Sequence, residues 1–208
     1  MRMLKLPFLA LLLLVGMGLA SPAQATLVAR LGGQAVYDTD RNITWLANAN
    51  VIGRVNWQTA KDWAAGLNVG GVTGWRLPTA LNTDLTGPCW GRNCTGSELG
   101  HLYYTVGGLT FGPGQNITSS AYLSSFVSNM QNGLYWSGTE VAPNPRFAWL
   151  FDANIGIQMS LHKGYSSFAW AVRDGDVGVP AVPEPEQYMM MLVGGCAIWL
   201  RIRARQRG

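Results

Sequence analysis

The sequence predicts an α+β fold: a single domain with early short helices and a late antiparallel sheet. Three observations carry this. Behind Asn56, an N-cap residue type, Trp57, Ala60, Ala64 and Leu67 recur at helical spacing and Gly70-Gly71 follows, so 57–67 reads as an amphipathic helix. Four later segments (133–137, 146–151, 156–160 and 167–173) alternate as half-buried antiparallel strands do. The chain holds 26 glycines and only 12% charged residues, which favours short elements and tight turns.

The remaining elements follow in order. Leu27 to Leu31 and Ala35 to Asp38 read as short strands around Gly32-Gly33, and Ile43 to Leu46 as a third. Thr79 is positioned to cap a second, shorter helix through Ala80, Leu81 and Leu85. Ser97 to Tyr104 reads as a helical turn. It would bring Glu98 and His101, three apart, to one side as a hydrogen-bonded structural pair. Most of the tryptophans are expected in the core.

Both ends carry the marks of addressing. Arg2 and Lys5 precede an apolar run from Leu6 to Leu19. Ala23-Gln24-Ala25 is a small-residue cleavage site, so residues 1–25 read as a secretory signal peptide cut before Thr26. This route uses the Sec machinery and signal peptidase.

At the other end stand Val182, Pro183, Glu184 and Pro185, then an apolar run at 188–200, then Arg201, Arg203, Arg205 and Arg207. Pro183 and Pro185 lock φ and lack N–H groups, so the box is extended and open to a protease. The apolar run falls short of the ~17–25 residues of a full span, although arginines can snorkel to lengthen it. By the positive-inside rule the arginines stay cytoplasmic and the rest of the chain faces outward. From the residues alone, an ordinary tail anchor with a proline-containing linker fits equally well. The ordered box, apolar stretch and arginine cluster resemble the PEP-CTERM sorting signal of Gram-negative bacteria. That resemblance implies processing by an exosortase, a transient hold in the inner membrane, and delivery to the envelope, cell surface or extracellular matrix.

The charge supports this division. Arg2 and Lys5, with the four tail arginines set against Glu184 and Glu186, account for the whole net charge of +4. The body from Thr26 to Pro183 is neutral, with nine basic and nine acidic residues, and offers no footprint for nucleic acid. The expected organisation is therefore signal peptide 1–25, one extracellular domain 26–176, linker 177–187, membrane segment 188–200 and basic tail 201–208.

Cys89 and Cys94 lie in a turn-rich loop and are expected to form a disulfide in an oxidising compartment, stabilising by roughly 2 kcal/mol. No second thiol pair completes a metal site, and no cofactor is expected.

Several body motifs resemble the DUF1566 family, also called the Lcl C-terminal domain. Trp75, Arg76, Leu77, Pro78 and Thr79 match its W-R-L-P-T signature, and Tyr135, Trp136 and Ser137 its Y-W-S motif. Ala148 to Asp152, Ala169 to Arg173 and Tyr37 to Leu46 match further segments in the same order. The sequence departs from the family after Thr79, where the Cys89–Cys94 loop intervenes. The resemblance implies an extracellular domain with a C-type-lectin-like fold.

Catalytic groups are few, with His101 and His162 the only histidines. Asp38 to Asn42 mimics the start of a calcium loop, but Ile43 stands where glycine is needed and Ala49 where glutamate is needed. Two function classes remain open. One is an exported non-catalytic surface or matrix protein that binds polysaccharide. The alternative is an enzyme related to formylglycine-generating domains, or a hydrolase using His101.

Overall fold

The computed structural model describes residues 26–178, which form one α+β domain of short strands and a few short helices. The first sheet has four antiparallel strands in the order β1-β2-β3-β10, with β1 at Leu27–Arg30, β2 at Ala35–Asp38, β3 at Ile43–Leu46 and β10 at Val172–Asp174. The second has six in the order β4-β9-β6-β7-β8-β5: β4 Arg54–Val55, β5 Gly91–Arg92, β6 Leu134–Glu140, β7 Phe147–Asp152, β8 Ile157–His162 and β9 Ser167–Phe168. All of its pairings are antiparallel except β6 with β9.

The predicted helix is α1, Trp57–Ala65, and Asn56 caps it by accepting from the Thr59 N–H. Its buried stripe is Trp57, Ala60 and Ala64, three of the four residues whose spacing predicted it. Ser97 caps α2, Glu98–Gly100, which runs into a π-helical turn at His101–Val106. A Cβ on Gly100 would collide with the Cys94 carbonyl, so glycine lets this turn pass directly beneath the disulfide loop. The short α3 spans Ala121–Ser124.

Two expectations need correction. No helix follows Thr79. Its hydroxyl faces Thr139 at 3.2 Å and accepts from the Leu81 N–H, while the Ala80 N–H is taken by Thr139 Oγ1. These contacts hold the segment irregular. The closing segment 167–173 is also two strands rather than one. β9 belongs to the six-stranded sheet and β10 to the four-stranded sheet, and Ala169-Trp170-Ala171 crosses between them.

That crossing lies in the core. Trp45, Trp57, Trp136 and Trp170 are fully buried, with Trp75 and Trp149 nearly so, as expected of most tryptophans. Trp170 meets Trp45 at 4.9 Å and Tyr135 at 5.8 Å. Three of the four fully buried indole N–H groups find a carbonyl: Trp170 donates to Leu46, Trp136 to Val55 and Trp57 to Ser137, whereas Trp45 Nε1 has no partner among the described residues.

Among the described residues no helix is long and apolar enough to cross a membrane. The sorting residues Val182 to Pro185 and Arg201 to Arg207, the cleavage residues Ala23 and Ala25, and both apolar runs lie outside the described residues.

Candidate functional site

The signature motif builds a brace. Arg76 lies beside β10, bridged to Val172. Its guanidinium grips Glu98 in two parallel hydrogen bonds of 2.9 and 2.7 Å and also donates to Asp174. Glu98 Oε2 additionally accepts the Thr79 N–H at 2.7 Å. Burial alone would lower the Arg76 pKa. The hydrogen bonds it donates to Glu98 and Asp174 more than reverse this, so the guanidinium stays charged. Three distant segments (76–79, 98 and 174) are thereby tied together. Trp75 and Leu77, on either side of Arg76, are buried on the core side.

Two clefts flank this brace. One of about 310 Å³ is lined by Lys61, Trp75, Leu77, Thr79, Gly138 and Thr139. The other, of about 250 Å³, lies between Arg41, Leu81, Asn82 and Glu98. A third, about 320 Å³ and largely apolar, sits away from the motif between Leu46, Val51, Leu67 and Val69.

Glu98 and His101 do not pair as expected, because Arg76 takes the carboxylate. His101 Nε2 instead faces Asp38 Oδ2 at 3.6 Å and Asp40 Oδ2 at 3.2 Å. His101 and Asp38 are buried, and among the described residues neither His101 Nε2 nor Asp38 Oδ2 has a hydrogen-bond partner. Asp38 Oδ1 accepts from the N–H groups of Asp40 and Arg41 and so holds the β2–β3 turn. The Arg41 side chain then reaches Thr83 and the Thr95 carbonyl. Among the described residues no cluster of three or more acidic, histidine or cysteine side chains is arranged to hold a metal.

Burial pushes the His101 imidazole below its ordinary value of 6.5, outweighing the attraction of Asp38. Burial likewise pushes the Asp38 carboxyl above its ordinary 3.8, against the pull of His101. The signs are opposite. As pH falls through 6.5 the unfolded chain protonates His101 while the folded chain resists, so this contribution is present above 6.5 and lost below it. Asp38 acts the other way, adding stability as pH falls through its raised value toward 3.8. Denaturant titrations from neutral pH through 6.5 are expected to show stability falling, and His101→Gln should flatten that limb. An unaltered slope in the variant would refute the assignment.

The exposed large side chains include the aromatic rings of Trp90, Phe111, Tyr122 and Tyr165. Cys89 and Cys94 form the expected disulfide. Its loop presents Trp90, which is 65% exposed and stands edge-on against Trp149 with ring centroids 5.4 Å apart. The loop is fastened at both ends. Gln158, buried on β8, donates to the Cys89 and Ala80 carbonyls. The Tyr104 hydroxyl accepts from the Asn93 N–H and donates to the Gly156 carbonyl. Gly91 adopts φ +97°, a conformation favouring glycine, where the loop becomes β5. Trp90 is thus a ring held out on a rigid mount.

Strand alternation places Phe147, Trp149 and Phe151 on one face of β7. Phe151 is covered by Tyr103 and Tyr104, and Trp149 by Trp90. Phe147 meets His162 across the strand pair at 5.6 Å, and His162 meets Tyr165 at 6.3 Å. The sequence reading did not single out Phe147, His162 or Tyr165 as a group. The alternating Phe147-x-Trp149 of one strand, facing His162 of the next, was the signal available.

Fold and site together define a disulfide-closed α+β module whose motif charges are spent on internal bracing and whose free surface offers aromatic rings. The chain belongs to the Lcl C-terminal domain family, whose model matches residues 34–173, from the start of β2 into β10. No curated protein matches the sequence.

Proposed function

We propose that this protein is an exported, non-catalytic surface or extracellular-matrix module that binds polysaccharide. The observation that carries this reading is Trp90, exposed on a disulfide-closed loop and propped by Trp149. A mounted, solvent-facing indole offers the apolar face against which the C–H face of a sugar ring stacks. The domain is taken to follow a C-type-lectin-like plan. In support, its first and last strands share one sheet, while long irregular connections carry the exposed groups. His101 is sealed among carboxylates rather than open to a substrate, which favours binding over hydrolysis. A pull-down with the producer's exopolysaccharide should retain the wild type, and Trp90→Ala should lose most of that retention while keeping the same unfolding midpoint. Equal retention of the two proteins would count against the reading.

Delivery is proposed to run through the signal peptide and then through exosortase processing at Pro183-Glu184-Pro185. The supporting observations are the order of box, apolar run and arginines, together with a disulfide suited to an oxidising compartment. Replacing the three residues with alanines should leave an uncleaved, membrane-held precursor in an exosortase-bearing host. Normal release would sink this part.

A further inference from the structure

The Trp90 platform is one end of a longer row. From Trp90 the rings pass to Trp149, then two residues back along β7 to Phe147, across to His162 and on to Tyr165. The two ends are the open parts: Trp90 is 65% exposed and Tyr165 61%, while Trp149 between them is 8%. Ser160 stands opposite Trp149 and adds a hydroxyl to the floor. His162 Nδ1 accepts the Gly164 N–H at 3.1 Å, which in the neutral ring leaves the proton on Nε2, a free donor in the middle of the row. Of the two cations adjacent in sequence to the row, Lys163 beside His162 is neutralised by Glu140 at 2.7 Å and lies over Trp57, while Arg146 beside Phe147 is exposed.

The shape of this surface matters as much as its chemistry. None of the three clefts described above is lined by Trp90, Phe147, Trp149, His162 or Tyr165. A site for a chain end or a free sugar encloses its ligand in a concavity. A row of rings exposed at both ends can be crossed by a ligand that continues past both ends.

We infer that the row binds an internal stretch of an extended polysaccharide, with one sugar ring against Trp90, another against Tyr165, and His162 Nε2–H donating to a hydroxyl between them. This rests on the polysaccharide reading above and adds the part of the polymer recognised. Neither end suffices alone, so affinity is shared by two contacts joined through one ligand.

The test is affinity electrophoresis and calorimetry of the exported protein with the producer's purified exopolysaccharide and with size-graded fragments of it down to free monosaccharides. Affinity should climb with fragment length, and monosaccharides should fail to compete. Trp90→Ala and Tyr165→Ala should each weaken polymer binding about three- to tenfold, the range of one aromatic contact. Both side chains are exposed, so unfolding midpoints should not move. Should Trp90→Ala disturb the disulfide loop, Tyr165→Ala alone decides. Full competition by a monosaccharide would overturn the inference. So would unchanged binding in Tyr165→Ala beside loss in Trp90→Ala, and either result would leave the polysaccharide reading standing. Failure of the wild type to bind polymer or any fragment would overturn both.

Discussion

Replacing Trp170 with alanine is expected to destabilise the domain by about 4 kcal/mol, the middle of the range for deleting a buried aromatic. Trp170 is fully buried where the chain leaves the six-stranded sheet for the four-stranded one. Its ring packs on Trp45 and Tyr135, and its N–H donates to the Leu46 carbonyl at 2.7 Å. The next residue continues the join, since the Ala171 carbonyl accepts the Leu46 N–H. The substitution opens a cavity and orphans a buried carbonyl at the junction of both sheets. Against the ~5–15 kcal/mol stability of a typical domain, this is a large fraction. Urea denaturation followed by circular dichroism provides the measurement. A loss below about 1 kcal/mol would mean the junction repacks freely, contrary to the close packing of such interiors. Trp170→Phe should recover part of the loss by refilling the space, without restoring the hydrogen bond.

Glu98→Ala is expected to cost about 3 kcal/mol, the lower end for breaking a buried ion pair. Its side chain is 9% exposed, and its loss leaves Arg76 without its bidentate partner and the Thr79 N–H without an acceptor. Asp174 supplies an internal control. It also touches Arg76, but its side chain is 77% exposed, so Asp174→Asn should cost no more than about 1 kcal/mol. Equal losses from the two substitutions would show that the brace is an ordinary surface pair. Arg76→Lys should not substitute for arginine, because a single ammonium cannot make two parallel hydrogen bonds to one carboxylate.

Local patterns were legible wherever local physics decides. The bounds of β2 and β3 match the predicted strands, and α1 begins where Asn56 said it should, because a cap and a 3.6-residue stripe are written within a dozen residues. The disulfide was legible for the same reason, its cysteines being five apart. What failed depended on distant partners. Thr79 could cap a helix by type, but Thr139 and Glu98 engage that segment from 60 and 19 residues away. Residues 167–173 alternate like one strand, and nothing in their own pattern says that the two halves join different sheets. Glu98 and His101 share a turn, yet each is matched to a residue outside it. Arg76 takes the first, while Asp38 and Asp40 face the second. Of the candidate site, Trp90 and its loop were visible as residues. The row to Tyr165 emerged only when β7 and β8 came into register.

Arg30, the last residue of β1, holds Asp176 just beyond β10 through paired bonds of 2.6 and 2.7 Å. β1 and β10 are the two outer strands of their sheet, so this grip closes the sheet's margins on each other. Its consequence is mechanical. A pull on the chain from beyond residue 178 reaches both margins together, and β10 cannot be peeled from β3 until the guanidinium releases its carboxylate. The domain is thereby latched against tension arriving from its C-terminal side.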